Sequence, residues 1–169
     1  IVRRAYKEFG DVIINDISAG ELDDDMLKTV AELGLKYVAM HMRGTPKTMQ
    51  SLDKYPEGVV RGVCTYFERR TEELTKAGIP QENIILDPGF GFAKTVEQNF
   101  ELLARLGEIA ALGFPVLAGI SRKSFIYKSL GTQPTDNATL AATTALHWEA
   151  LCGGAAVLRV HDVAEARAT

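Results

Sequence analysis

Residues 83–92 read NIILDPGFGF, an apolar run that ends in a carboxylate and is followed by a glycine-rich loop. The run is short and apolar, which favours a strand covered on both faces of its sheet. Asp87 stands where that strand ends, and Gly89 and Gly91 allow the backbone to approach a ligand closely. Asp87 could equally cap the turn that follows it, as aspartate often does.

Four further runs of the same kind lie along the chain and alternate with helical stretches. Together with the first run, the predicted strands cover residues 12–16, 37–41, 83–87, 115–119 and 155–160. Helices are predicted over residues 1–10, 22–34, 58–77, 96–112, 123–130 and 138–151, and another opens after His161. Such alternation predicts parallel strands joined by right-handed crossovers.

Residues suited to a functional site follow every predicted strand, and their positions favour one of two α/β architectures. They are Asn15, Asp16, Met40, His41, Asp87, Ser121, Arg122, Lys123, Arg159 and His161. An open doubly wound sheet gathers such residues only at its switch point. A barrel gathers the carboxyl ends of all its strands around one pocket. The pattern therefore favours a (β/α)8 TIM barrel and, because about five strands cannot close one, a partial barrel.

Composition and charge narrow the functional classes. The 169 residues fit one domain, and a net charge of −3 does not suggest a protein that binds nucleic acid or a membrane surface. No apolar run approaches the roughly 18 residues needed to cross a bilayer. Cys64 and Cys152 lack metal-like spacing, which predicts free thiols in the cytoplasm. The sequence offers no Ser/His/Asp triad, zinc spacing or P-loop.

Two segments beyond Asp87 predict anion binding. In GISRKS, residues 119–124, hydroxyls and backbone N–H groups at a helix start can bind an anion beside two cations. Ser121 could instead be a simple helix cap with solvated basic neighbours. In RVHD, residues 159–162, strand alternation turns Arg159 and His161 the same way. The pair could hold an anion or stack on a flat ring, or it could be a surface pair at a fraying strand end.

The side chains of Asp87 and Asn15 suit a flat heterocycle. A carboxylate accepts two parallel N–H bonds, such as those on the edge of a 2-aminopyrimidinone. The amide of Asn15 offers both a donor and an acceptor, although Asn-Asp after a strand more often forms a turn. Packing is the better explanation for Met40 beside its strand and for His147 within its helix.

Five segments, taken in order, closely resemble the dihydropteroate synthase family. They are IINDIS (13–18), MHMRGTPKTMQ (40–50), ILDPGFGFAK (85–94), GISRKSFI (119–126) and RVHDV (159–163). One such match is weak, whereas five in this order at barrel-unit spacing are highly specific. The resemblance implies that residues 1–169 form a pterin-binding domain with strands four to eight of the barrel, incomplete at its N-terminus and in its last helix.

The resemblance also implies a reaction and a set of substrate-binding residues. The family joins 6-hydroxymethyl-7,8-dihydropterin diphosphate to p-aminobenzoate, giving 7,8-dihydropteroate and diphosphate. The residues implied to bind these substrates are Asn15, Met40, Asp87, Phe92, Gly119, Lys123, Ser124, Arg159 and His161. Among them, Met40, Phe92 and Gly119 correspond to positions that line the pterin pocket. Ser124 matches the site that receives the p-aminobenzoate carboxylate.

The charged members of this set carry the implied chemistry. The counterparts of Asn15, Asp87 and Lys123 hold the polar edges of the pterin. The counterpart of Arg159 packs over the ring and, with that of His161, holds the departing diphosphate. The resemblance thus implies Lys123, Arg159 and His161 as catalytic residues, and charge developing on the leaving group would be stabilised by the last two.

The family pattern also contains parts that this sequence lacks. In the family an asparagine in an Asn-x-Thr-Pro-Asp-Ser-Phe-Ser loop binds Mg²⁺, so the resemblance implies a Mg²⁺ cofactor but no metal ligand among these residues. It further implies a homodimer for the complete enzyme. Two other functions stay open: a pterin-binding methyltransferase, which shares the Asn and Asp but not the SRKS and RVHD segments, and a non-catalytic fragment. We expect this chain by itself to be inactive.

Overall fold

The computed structural model describes residues 1–44 and 53–169, so the part of the MHMRGTPKTMQ segment beyond Gly44 lies outside the described residues. The strands are β1 (Ile14–Asp16), β2 (Tyr37–Met40), β3 (Ile84–Asp87), β4 (Val116–Ala118) and β5 (Ala155–Leu158). The helices are α1 (Val2–Phe9), α2 (Met26–Leu33), α3 (Val59–Lys76), α4 (Val96–Ala104), α5 (Leu106–Ala110), α6 (Ser124–Leu130), α7 (Asn137–Cys152) and α8 (Val163–Arg167). A 3-10 turn, Gln81–Asn83, leads into β3.

The sheet has the order β1-β2-β3-β4-β5, and every neighbouring pair is parallel. A connection that contains at least one helix joins each strand to the next, so that all the strands run in the same direction. The prediction of five sequential parallel strands in a partial α/β barrel is confirmed. All five carboxyl ends consequently lie at one edge of the molecule, where barrels of this type place their sites.

The strand register divides the side chains between two faces of the sheet. Asn15 is paired with Val38, and Val38 with Ile85, so these residues share a face. On that face Val38, Ile85 and Leu117 form a small apolar cluster. We call it the inner face, because a closed barrel would surround it.

The opposite, outer face carries the main core. Alternate strand residues such as Tyr37, Ile84 and Leu86 are fully buried there beneath the helices. Phe67 of α3 and Phe125 of α6 belong to the same cluster and are at most 1% exposed. Burying side chains of this size contributes roughly 1.5–3 kcal/mol each. The sheet is therefore held mainly by its contact with the helical layer.

The predicted element boundaries were wrong at several points. The predicted helix over 96–112 is broken at Arg105, whose φ of −112° leaves the helical range. The break allows the separate helix α5 to bury Leu106 and Ile109. The helical pattern that began at Leu22 is also too long, because α2 starts at Met26 and Leu22 is 61% exposed.

The last strand is shorter than predicted, which alters the argument made for its end. β5 stops at Leu158, so Arg159 and Val160 lie beyond it. Strand alternation therefore does not extend through Arg159 to His161. The prediction that the two side chains face the same way loses this support.

No helix in residues 1–44 or 53–169 has the length and apolar character required to cross a bilayer.

Asp16, at the end of β1, organises the turn that follows this strand. Its carboxylate accepts bonds from the Ser18 N–H and hydroxyl and from the Gly20 N–H, at 2.7–2.9 Å. It also accepts a bond from the buried Tyr37 hydroxyl, at 2.7 Å. Burial by itself would raise the pKa of Asp16, but these bonds hold it below its ordinary value. Asp16 therefore forms a turn, as the sequence suggested.

The Tyr37–Asp16 bond provides a test of how β1 is attached to the sheet. Replacing Tyr37 by Phe should lower the free energy of unfolding by about 1–3 kcal/mol, because a hydrogen bond to a charged carboxylate is lost from a buried position. The measurement is urea denaturation followed by circular dichroism. Tyr127→Phe, on α6, is the control and should change stability little. Equal stability of both variants would contradict the proposed attachment.

Candidate functional site

The carboxyl end of the sheet brings together most of the predicted site residues. Met40 and Asp87 are register partners at the ends of β2 and β3, and both are 2% exposed. Gly119 and Arg159 follow the ends of β4 and β5, one step beyond the inner-face pair Leu117 and Val157. These positions form the layer above the inner-face apolar cluster.

Asp87 is buried among positive charges. One of its carboxylate oxygens, Oδ1, accepts the Gly89 N–H at 2.8 Å, so Asp87 does cap the turn that follows it. Burial raises its pKa, while the Gly89 bond and the charges of Arg159, Lys123 and Lys94 act in the opposite direction. The turn contact uses one oxygen and leaves the other available to a ligand. The two roles considered for Asp87 are therefore compatible.

Gly89 is the position in the loop after Asp87 where only glycine fits. Its φ is +69°, and a Cβ there would lie 2.0 Å from the His41 carbonyl oxygen. The contact is part of a close approach between β2 and β3, in which the His41 N–H also donates to the Asp87 carbonyl at 2.8 Å. We refer to residues 88–93 as the glycine loop.

A buried lysine that the sequence did not single out holds the glycine loop in place. Lys94 is 7% exposed, and its Nζ donates to the carbonyls of Gly89 and Phe92, each at 3.0 Å. It also lies 3.1 Å from Nδ1 of His41, which is 2% exposed. Burial lowers the pKa of Lys94 to about 7, with Asp87 acting in the opposite direction. Burial also lowers the pKa of His41.

A second contact supports the same loop from helix α4. The side-chain carbonyl of Asn99 accepts the Gly91 N–H at 2.7 Å, and Asn99 is 1% exposed. The helix itself begins at Thr95 with a capping box, in which Thr95 and Gln98 each bond the other's backbone N–H. The glycine loop is therefore tied to the helix that follows it as well as to β2.

Lys123 lies across the glycine loop from Lys94. Its ammonium stands 4.5 Å from the centroid of the Phe92 ring, within the range of a cation–π contact. Its aliphatic stem packs on Gly91, where a Cβ would be 3.4 Å from the Lys123 Cδ. Burial and Arg159 lower the pKa of Lys123, and Asp87 opposes that change.

The guanidinium of Arg159 lies on Gly119. A Cβ at Gly119 would be 3.0 Å from one of its terminal nitrogens, so any larger residue would displace the arginine. The Arg159 N–H donates to the Ala118 carbonyl at 3.1 Å, which extends the β4–β5 pairing by one residue. Arg159 is exposed to solvent and can therefore reach a ligand.

His161 is held by Ser121. The ring Nδ1 of His161 lies 2.9 Å from the Ser121 hydroxyl oxygen, and the backbone N–H of His161 donates to the same oxygen at 3.2 Å. Arg159 and His161 are thus both held by residues that follow β4. The interpretation of Ser121 as a helix cap is wrong, since α6 has Lys123 at that position. Arg122 is not available to an anion bound by residues 119–124 as predicted, because its guanidinium pairs with Asp162 at 2.7 and 2.8 Å.

Two predicted residues lie apart from this group. Ser124, the first residue of α6, lines a polar cavity of about 320 Å³ together with Gly91, Asn99 and Lys128. Asn15 is exposed in β1 and shares the inner face with Val38. Its side chain stands one layer below Asp87.

Comparison with known proteins identifies the family. Residues 1–161 match the family model described as pterin binding enzyme. The chain belongs to the pterin-binding enzymes. Within this family it is similar to curated dihydropteroate synthases, which confirms the predicted resemblance. It is 44% identical to that of Haemophilus influenzae over 165 residues, which are 97% of this chain and 58% of the relative. It is 41% identical to that of Synechocystis sp. over 162 residues, which are 96% of this chain and 55% of the relative.

Solved structures of pterin-binding enzymes show the same arrangement of elements. The dihydropteroate synthase of Thermus thermophilus in complex with 6HMPPP has a TM-score of 0.86 and 39% identity, covering 96% of this chain and 63% of the other. That of Xanthomonas albilineans in complex with 7,8-dihydropteroate has a TM-score of 0.86 and 36% identity, covering 99% and 60%. This chain thus spans less than two thirds of each relative.

The buried amine of Lys94 predicts how stability depends on pH in this pterin-binding enzyme. In the unfolded chain a lysine keeps its proton up to a pKa of 10.5, whereas in the folded protein Lys94 loses it near 7. Between these values the unfolded state binds more protons, so the free energy of unfolding should increase with pH. The contribution is at most about 1.4 kcal/mol per pH unit.

The test compares denaturation of the native protein and Lys94→Met between about pH 7 and about pH 9.5. We expect the variant to be less stable and to show a flatter dependence on pH. Lys28→Met, at an exposed position of α2, is the control and should keep the native slope. The same slope in the Lys94 variant would mean that this amine keeps its proton in the folded protein.

Proposed function

We propose that the whole protein is a dihydropteroate synthase, joining 6-hydroxymethyl-7,8-dihydropterin diphosphate to p-aminobenzoate with release of diphosphate. The observation that carries this proposal is the buried carboxylate of Asp87 among Lys94, Lys123 and Arg159. Similar proteins support it, since solved dihydropteroate synthases include complexes with 4-aminobenzoic acid and with 7,8-dihydropteroate.

The pterin would be held by the upper layer of the inner face. The free oxygen of Asp87 would accept N–H bonds from the aminopyrimidinone edge, and burial strengthens such bonds. Lys123, whose stem packs on Gly91 and whose ammonium lies over the Phe92 ring, would donate to an acceptor on the pterin ring. Met40 and Gly119 would line the ring plane, and the exposed Asn15 would bond a polar edge from the layer below.

The departing diphosphate would lie against Arg159 and His161. A guanidinium can bind two phosphate oxygens at once, and the imidazole presents its second nitrogen because Ser121 engages Nδ1. Charge that builds on the leaving oxygen would be stabilised by these donors, which are already in place. The amine of p-aminobenzoate would attack the methylene carbon as the C–O bond to diphosphate breaks, and it would then lose a proton. No protein nucleophile takes part.

The acid co-substrate would place its carboxylate near Ser124. The cavity beside this residue also contains Lys128, so a hydroxyl donor and a cation line the same space. A carboxylate bound there would be paired by charge and by hydrogen bonding.

The implied Mg²⁺ does not fit the described residues. Asp87 is the carboxylate of the upper layer, and its surroundings are cationic rather than carboxylate-rich. Within residues 1–44 and 53–169, no three His, Cys, Asp or Glu side chains come together as a metal-binding group. We retain Mg²⁺ as part of the proposed activity of the whole protein, with ligands other than these residues. Its homodimer and its cytoplasmic location stay predictions as well.

Asp87→Asn tests the proposed pterin contact. One oxygen must still accept the Gly89 N–H, so the amide would turn its NH2 towards the donors of the pterin. Binding should weaken by about 1.5–3 kcal/mol, the value of a hydrogen bond to a charged group. Calorimetry with 6-hydroxymethylpterin measures this, with Asp24→Asn, an exposed carboxylate, as the control. Unchanged affinity would show that Asp87 is only a turn cap.

Turnover tests the reaction itself. Five strands leave the inner face open, with Ile13 59% and Val157 38% exposed, so the 169-residue polypeptide alone should be inactive. Joined to the N-terminal part of the Haemophilus influenzae relative, it should form dihydropteroate from both substrates in the presence of Mg²⁺. Product is detected by mass spectrometry. A joined protein that folds and binds pterin without making product would contradict the proposed function.

A further inference from the structure

Arg122 and Asp162 join the loops that follow β4 and β5. We call residues 119–123 the β4 loop and residues 159–162 the β5 loop. The Arg122 Nε and one terminal nitrogen donate to the two Asp162 oxygens at 2.7 and 2.8 Å, which is a bidentate pair. The other terminal nitrogen donates to the Pro134 carbonyl at 2.6 Å, between α6 and α7. One guanidinium therefore connects three segments.

The ion pair forms although Arg122 has an unfavourable backbone conformation and Asp162 gives up its usual role as a helix cap. Arg122 has a φ of +51°, a conformation that costs a non-glycine residue on the order of 1 kcal/mol. Its N–H is bonded to the Thr143 hydroxyl at 3.3 Å. Asp162 stands at the N-terminus of α8, where aspartate usually bonds the helix N–H groups, yet it makes no such bond. Its carboxylate is directed to Arg122 instead.

The β4 loop and the β5 loop each place a positively charged side chain near Asp87. A bond between the two loops would offset the repulsion between these charges. Lys123 belongs to the β4 loop and Arg159 to the β5 loop, and the charge of Arg159 helps to lower the pKa of Lys123. Asp87 is the carboxylate between them. The positive φ of Arg122 lets its side chain run to Asp162 while the next residue, Lys123, turns to Phe92.

We propose that Arg122 and Asp162 are positioning residues, whose ion pair keeps Lys123, Arg159 and His161 converged on the diphosphate-bearing substrate. This inference rests on the proposed function. Neither residue touches substrate in this account. Both side chains are about four-fifths buried, with 20% and 23% exposure, so solvent screens their pair less than a surface pair.

The test uses Arg122→Lys, Asp162→Asn and the double variant in the barrel completed with the Haemophilus influenzae segment. Lysine keeps the charge but cannot form the bidentate contact. Arg105→Lys is the matched control, since Arg105 pairs with Glu101 and Glu108 on the surface of α4 and α5. The dissociation constant of inorganic pyrophosphate, KM and kcat for both substrates, and the melting temperature are measured for each.

We expect each single variant to weaken pyrophosphate binding about tenfold and to lower kcat further, since misplacement by about 1 Å can cost roughly 100-fold in rate. The double variant should be no worse than the singles, because both remove one interaction. The control should match the native protein. Variants with native binding and kinetics but a lower melting temperature would show that the pair only stabilises the fold, and the inference would be wrong.

A second measurement tests the positioning role of the ion pair without depending on turnover. The chain has three histidines, so the ring signals of His161 can be assigned by nuclear magnetic resonance. Arg122→Lys, which leaves the neighbours of His161 in sequence unchanged, should shift these signals, because the β5 loop is then free to move away from Ser121. Unchanged signals would overturn the positioning role even if the protein is active. A shift without any pyrophosphate binding in the native protein would instead contradict the proposed function.

Discussion

The bonds from the Lys94 amine to two backbone carbonyls hold the site end of the sheet in shape. The Lys94 amine donates to the carbonyls of Gly89 and Phe92, and the Gly89 carbonyl also accepts the Phe92 N–H at 3.1 Å. A buried carbonyl without a partner costs roughly 1–3 kcal/mol, a cost that the amine removes at Phe92. With these bonds formed, Asp87 stays at the top of its strand and Phe92 stays under Lys123. His41 closes the arrangement from β2.

The same end of the sheet is electrostatically unbalanced. One buried carboxylate stands against Lys94, Lys123 and Arg159. Burial weakens the hold of Lys94 and Lys123 on their protons, which lowers the cost of keeping the amines near each other. An arrangement of this kind gains more from an anionic ligand than a balanced site would, because the ligand supplies the missing negative charge. The arrangement is thus suited to an anionic ligand.

The spacing of the apolar residues and the positions of glycine and proline between the apolar runs were sufficient to predict the strands, their parallel order and the partial barrel. Asp87 and Gly89 could be singled out because a carboxylate at a strand end followed by a glycine-rich loop suits a ligand site, although the sequence could not separate that role from a turn cap. Lys94 could not be singled out, since a lysine in a loop is usually solvated, and its buried contact is with His41, which is far away in sequence. The opposite directions of Arg122 and Lys123 also escaped prediction. They depend on a positive φ at Arg122 that no local pattern indicates.

The unequal apolar content of the two faces has a consequence for how such a barrel can assemble. Val38, Ile85 and Leu117 are a small cluster, whereas the outer core includes residues from four strands and most helices, with Ile14 of β1 packed against it. Neighbouring strands of the sheet are consecutive in sequence, so each strand pair closes a single connection. Five strands and their helices can therefore become ordered as a unit before the concave side is filled. Closing the ring would then be a docking step between preformed halves, and the ligand-binding end would be completed last.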